Sequence, residues 1–295
     1  MNKKDFGRLT AALRQDLNLT QFALAEKADV TVAVVSQIER GVKQNLEADL
    51  VARLAGALDL NINERRQFFL AASGLDEFDF GGEAFRSQAA RIKKSLEVFE
   101  KLLVLLGKLR APAYILDVFG ESVAANASAL AFYQITPAMI EEAPGIPGGY
   151  NSLRLLFGSI LSSVVTTEYN QYLLNSVRSV REISLRYRAH PYFRYLINEF
   201  RDPKKYPGFE RYWRHSALLE DDKDIDIDLF EFVHAIHGEM KFLTHAIMPN
   251  TPHGELRLIY SIPLDGDTRN VFEQIVSKVG AQAYRFAPWP EKKMV

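Results

Sequence analysis

A chain of 295 residues, 47% hydrophobic and 25% charged, has the balance of a globular protein of about two domains with apolar side chains enough for a core. It has no cysteine, which excludes disulfides, thiolate metal sites and a cysteine nucleophile. The net charge is −1, and residues 1–74 hold 10 Lys+Arg against 9 Asp+Glu, so any grip on an acidic polymer must come from a few placed side chains.

The start, Met1 to Asp5, carries no apolar signal core. The greasiest run, Leu102 to Leu106, is far shorter than the roughly 20 residues that span a bilayer. The chain therefore reads as cytoplasmic, with no membrane partner.

Residues 5–73 read as short helices. Phe6, Leu9 and Leu13 recur at helical spacing, as do Leu50, Leu54 and Leu58. Asn61 followed by Glu64 has the form of a capping box, and Gly74 stops the helix that follows. Residues 75–85 form an acidic, glycine-containing linker. A helix over 85–109 is expected next, with Ile92, Leu96, Phe99, Leu103 and Leu106 on its apolar stripe. From Ala111 the pattern changes. Tyr114–Asp117 and Ser122–Ala125 flank Phe119-Gly120 as a hairpin, and helices extend to about residue 219, broken by the loop Pro144–Gly149. Glu220–Asp228 reads as a solvated loop. Three alternating runs then predict an antiparallel sheet with one buried face: Phe230 to Ile236, Met240 to Met248, and Leu256 to Tyr260. Phe230, Phe232, Met240, Phe242, Met248, Leu256 and Leu258 are placed on that face, with His234, Thr244 and Tyr260 as its polar members. A last helix runs from Thr268 to Ala281.

Thr20 caps a helix that starts at Gln21. A turn follows at Ala28-Asp29-Val30, and Thr31 caps a second helix that Gly41 ends. Two short helices joined by a tight turn set the second into the major groove of DNA. Leu19-Thr20-Gln21, Leu24-Ala25, Val30-Thr31, Val35-Ser36, Ile38-Glu39 and Gly41, with Leu50, Leu54-Ala55 and Ala57-Leu58 after them, resemble the Xre/Cro-type regulators. Asp29, Asn45 and Ala23 depart from that pattern, standing where Gly, Pro and Glu are common. The resemblance implies that Val35 and Ile38 face the core and that Val32, Ala33, Ser36 and Gln37 face the groove. It also places Gln21, Thr31, Arg40 and Lys43 at phosphates, and pairs Arg14 with Glu39 as a structural ion pair. Gln37 suits an adenine edge and Val32 a thymine methyl.

Further on, Ala113–Asp117, Ala124–Asn126, Asn151–Phe157, Phe209–Trp213 and Gly254-Glu255-Leu256 resemble the ligand module of the MmyB-like regulators, which is related to the PAS fold. That resemblance implies an apolar effector, a fatty acid above all. Arg154 suits a carboxylate, since a guanidinium grips it with two parallel bonds. Asn126 and His234 are further head-group candidates. Leu130, Phe157, Tyr212, Trp213, Phe232 and Tyr260 are candidates for the rest of the pocket. His234 and His237 suggest a metal, but residues three apart on a strand point to opposite faces, so no metal site and no cofactor are expected.

The expectation is thus a multidomain chain. Residues 1–74 form an all-α helix-turn-helix DNA-binding domain, 75–110 a linker and connecting helix, and 111–295 an α+β PAS-like domain with an antiparallel sheet. It would act as a homodimer on a double-stranded operator, with ligand shifting the spacing of the two heads through the helix at 85–109. The competing reading is a peptide-pheromone receptor with an all-helical body. An enzyme is not expected, as no nucleophile–base spacing or phosphate-cradling loop is present.

Overall fold

The computed structural model describes residues 1–74, 87–158, 164–165, 169–218, 228–292 and 294. Five helices come first: α1 (Lys3–Asp16), α2 (Gln21–Lys27), α3 (Val32–Glu39), α4 (Ala48–Ala57) and α5 (Ile62–Ser73). Their starts follow from capping chemistry. Asn2, Thr20, Thr31 and Asn61 each accept an amide of the first turn, and Asn61 with Glu64 completes a reciprocal box. Asp29 adopts φ 51°, so the aspartate itself takes up a left-handed turn conformation. Phe6, Leu9, Leu24, Val35, Ile38, Leu54 and Phe68 close one core. α1 and α3 touch backbone to backbone. A Cβ on Gly7 would lie 2.3 Å from the Ile38 carbonyl oxygen. Gly41, at φ +70°, ends the α3 turn against Lys4, and a Cβ there would meet the Lys4 Cα at 2.7 Å.

The rest of the chain is a helix-covered sheet. Its elements are α6 (Gln88–Leu106), β1 (Ala113–Leu116), β2 (Ser122–Asn126), α7 (Ala127–Phe132), α8 (Pro137–Glu142), α9 (Ser152–Phe157), α10 (Tyr169–Ile183), α11 (Pro191–Phe200) and α12 (Phe209–Leu218), followed by β3 (Asp228–His234), β4 (Gly238–Ile247), β5 (Asn250–Thr251), β6 (Gly254–Glu255), β7 (Arg257–Pro263), α13 (Gly266–Val279) and β8 (Ala283–Arg285). Six strands pair antiparallel in the order β3-β4-β7-β1-β2-β8, and β5-β6 form a separate small hairpin. A six-stranded sheet is incompatible with the all-helical body of the pheromone-receptor reading.

The sequence suggested one buried face; the outer face is covered too over β1, β2 and β7, while on β3 and β4 it stays exposed at Leu229, Glu231, Lys241 and Ile247. Phe230, Phe232, Met240 and Phe242 enter the larger core under α7 and α10–α13. Ile115, Val123, Leu256 and Leu258 enter a second core under α6. The register explains the misplacement of Leu256 and Leu258. Ile247 stands opposite Leu258, so the β5-β6 excursion brings the chain back with its alternation reversed relative to Phe242. Tyr260, opposite His245, goes with this outer face. Met248 falls beyond the end of β4 and is exposed. The first strand stops at His234, and Ile236 sits exposed in the turn.

α6 buries Ser95, Phe99, Leu102 and Leu106, a stripe rotated from the expected one, leaving Ile92, Leu96 and Leu103 half-covered. Its amphipathic face thus belongs to the C-terminal body. β8 and the segment after it form a strap: Phe286 donates to the Val123 carbonyl at 3.0 Å, and Lys292 is buried against Asp117 and Glu121. The linker over 75–85 and the acidic run before Asp228 lie outside the described residues.

Candidate DNA-reading face and ligand cavity

α3 is held in place from behind. Arg14 donates from Nε to Glu39 Oε1 at 2.6 Å and from an Nη to Oε2 at 3.0 Å, in a fork-to-fork pair, and also reaches the Leu19 carbonyl at 2.7 Å. Gln21 donates to Glu39 Oε2 at 2.7 Å, so it braces the pair. On the outward side Thr31, Val32, Ala33, Gln37 and Arg40 are exposed, while Ser36 and Lys43 are half-buried. Thr31 Oγ1 is engaged as the α3 cap, and Arg40 Nε donates to the Ser36 carbonyl at 3.3 Å. The small, mostly apolar surface of Val32 and Ala33 has Gln37 one turn further along the helix.

The head meets the C-terminal body through buried charge. Glu64 Oε1 accepts from Arg181 Nε at 2.7 Å and from an Nη of Arg188 at 2.8 Å, and all three are buried. Arg188 lies over the Trp213 ring at 4.8 Å, and Arg181 donates to the Trp213 carbonyl at 2.7 Å. Burial draws the Arg188 pKa down to about 10 against the opposing pull of Glu64. Glu182 accepts from Asn61 at 3.0 Å, and Asp16 pairs with Arg194 at 2.6 Å. Trp213, expected in the pocket, therefore belongs to this junction.

A cavity of about 140 Å³ opens between the inner sheet face and the helices. The sheet contributes Tyr114, Ala125, Phe230, Thr244 and Ile259; α9 contributes Ser152, Arg154, Leu155 and Leu156; α10 contributes Tyr172, Ser176, Ser179 and Val180. Phe286, on the strap, completes the wall. Arg154 is half-buried and donates to the Gly149 carbonyl at 3.0 Å. Ser152 Oγ is buried and has no partner among the described residues.

Of the nine residues expected at a ligand, Arg154 alone lines this cavity. Asn126 spends its whole side chain on the fold. Its Oδ1 accepts from Ala113 and Ala129, and its Nδ2 donates to the Leu109 and Ala111 carbonyls. His234 accepts two amides at Nδ1, from Ile236 at 3.0 Å and His237 at 3.3 Å, so its proton sits on Nε2 and donates to the Phe132 carbonyl at 2.9 Å. Burial keeps its pKa below the usual histidine value. Phe232 is core, tilted against Phe132 and edge-on to Tyr172 and Phe242. Leu130 packs on the same core, Phe157 contacts Phe209 and Tyr212, and the Tyr212 hydroxyl bonds Asn170. Tyr260 lies on the other side of the sheet. A signal for the lining of this cavity was present in the motif runs Ala113–Asp117, Ala124–Asn126 and Asn151–Phe157. They supply Tyr114, Leu116, Ala125, Ser152, Arg154, Leu155 and Leu156, the members that face inward. Among the described residues no group of three or more His, Asp or Glu could hold a metal, and no helix is long and apolar enough to cross a membrane.

A helix-turn-helix head joined to a sheet domain with an internal cavity defines the class: a DNA-binding protein with a ligand-binding body. The comparisons agree with both halves. A helix-turn-helix family model matches residues 11–65, and that of the MmyB-like transcription regulator ligand binding domain matches residues 98–275. The second covers more than half of the chain, and the chain belongs to that family. Comparison with curated proteins gave no match.

Proposed function

We propose that this ligand-responsive transcription regulator takes a small apolar carboxylate, a fatty acid in the first instance, into the cavity between α9, α10 and the sheet. The observation that carries the reading is Arg154, a cation on the wall of a mostly apolar cavity beside the unpartnered Ser152 hydroxyl. A cavity of about 150 Å³ holds a benzene ring. The cavity therefore suits a head group and its first carbons. The sheet domain reads as PAS-like: two strands, a helical insertion, then three strands that return beside the first. The domain limits we assign are 1–74, 75–110 and 111–295, with α6 part of the body it packs on.

On DNA, a homodimer would place two α3 helices in successive major grooves, about one helical turn apart. Gln37→Ala should relax base preference, costing about 1–3 kcal/mol at one position of the site. Lys43→Ala should weaken binding to all sequences alike and reduce its salt dependence. Fluorescence anisotropy on a selected operator and its point variants measures both; unchanged affinity in both variants would refute the groove assignment. The route from ligand to head that we favour is α10 rather than the helix at 85–109. α10 presents Ser176, Ser179 and Val180 to the cavity and Arg181 and Glu182 to the head. A ligand moves that equilibrium only by binding one arrangement better than the other.

Native against denaturing mass spectrometry, with organic extraction of what is released, tests the ligand reading. An added mass matching a fatty acid, lost in Arg154→Ala, is the expected result. An acid retained at full occupancy in that variant overturns the anchor.

A further inference from the structure

The cavity contains more hydroxyl than a plain alkyl chain can satisfy. Ser176 and Ser179 on α10 and Thr244 on β4 all line it. Serines in helices commonly bond back to a carbonyl of the preceding turn, as Ser73 does to Leu70 and Ser277 to Gln274. Among the described residues Ser176, Ser179 and Thr244 have no such side-chain bond. Ser176 and Ser179 are three residues apart on one helix, so their hydroxyls share a face. They stand on a different wall from Arg154, which with Ser152 makes the other polar point. A saturated chain laid across this wall would strip water from the hydroxyls and return nothing, and a polar group buried without a partner is unfavourable.

We infer that the effector is an oxygenated carboxylic acid, its carboxylate held by Arg154 and a hydroxyl or oxo group along its body met by Ser176 and Ser179. This rests on the anchor proposed above and adds the chemistry of the second contact. A serine hydroxyl both donates and accepts, so it serves either oxygen function. The contact falls on α10, whose other side carries Arg181 and Glu182 to the head. The group that distinguishes one acid from another thus bears on the helix joined to the DNA-binding half.

Isothermal titration calorimetry on the full chain, stripped of bound lipid, tests it with octanoate and with 3-, 5- and 7-hydroxyoctanoate. At least one hydroxy acid should bind roughly five- to tenfold more tightly than octanoate, the worth of one hydrogen bond. The Ser176→Ala/Ser179→Ala double variant should bring that acid and octanoate to equal affinity, with octanoate itself bound no more weakly than by the parent, since its chain then has no hydroxyl to desolvate. Alanine favours helix, so the variant keeps α10. Octanoate binding as tightly as every hydroxy acid overturns the inference, as does binding by none of them, or an advantage that survives the double variant. Arg154→Ala separates the two readings. If it weakens octanoate and hydroxy acid equally but no hydroxyl preference exists, the anchor stands and the second contact falls. If it changes neither while the serine variant removes a preference, the anchor falls and the second contact stands.

Discussion

Glu64 is the residue on which the junction between the two halves turns. It is fully buried, accepts from two arginines, and still uses its other oxygen to cap α5 through the Asn61 amide at 3.1 Å. Glu64→Gln keeps the shape and removes the charge, leaving Arg181 and Arg188 buried side by side. Breaking a buried pair from one side costs about 3–5 kcal/mol. Urea unfolding should show that loss, or split into two transitions as head and body separate; a single transition at the parent midpoint would refute the role given to Glu64. Asn126 makes the contrasting case. Four bonds fill its amide, so Asn126→Ala should destabilise the sheet domain by about 2 kcal/mol or more. Affinity for an acid, measured where the variant is still folded, should change little, because the side chain is spent on backbone groups of β1, α7 and the segment before β1.

At the scale of elements, what the sequence made legible depends on whether the determinant was local. The five helices of the head could be placed because capping residues and Gly74 mark their ends within one turn, and the Arg14–Glu39 pair follows from α1 and α3 packing as the helix-turn-helix pattern implies. The sheet was legible as strands but not as faces. Alternation places Phe230 and Phe242 together, yet whether Leu258 joins them depends on how many residues the β5-β6 excursion consumes, which no local pattern fixes. Of the expected ligand residues only Arg154 lines the cavity; the motif runs supply further lining residues on the sheet and α9, but the α10 hydroxyls become a wall only when a helix with little motif content packs over the sheet. The strap was not anticipated, since three strand residues and a lysine carry no periodic signal. Its Lys292 is 7% exposed at the side chain and bridges Asp117 and Glu121. Burial alone would lower its pKa, but the two carboxylates outweigh that and raise it. Lys292→Ala leaves two carboxylates facing each other in the interior. Thermal denaturation should fall by several degrees, and limited proteolysis should cut after β8 faster than in the parent. An unchanged cleavage rate would show that the strap is held elsewhere.

For the molecule as a whole, stability should fall on mild acidification. His190, His234, His237 and His253 all have pKa values lowered first of all by burial. The unfolded chain therefore binds protons before the folded one does. Their contribution is fully present above the ordinary histidine value of about 6.5 and is lost as pH falls from there toward the lower folded values. Glu121 and Glu182, raised by burial, work in the opposite sense and gain stability as pH falls toward the carboxylate range. Melting temperatures at about pH 7.5 and about pH 5.5 should differ, with a smaller drop in His234→Gln than in the parent; equal drops would remove His234 from the account. The close contact of α1 with α3 bears on genetics. A random screen for loss of promoter control will collect substitutions at Gly7 and Gly41, since any side chain at Gly7 collides with the Ile38 carbonyl and misaligns the reading helix. Neither glycine has a side chain to offer a base or a phosphate. Such a screen would draw a map of the operator-binding surface with its hottest points on the wrong side of α3, and only a count of protein that still folds would tell the two kinds of mutant apart.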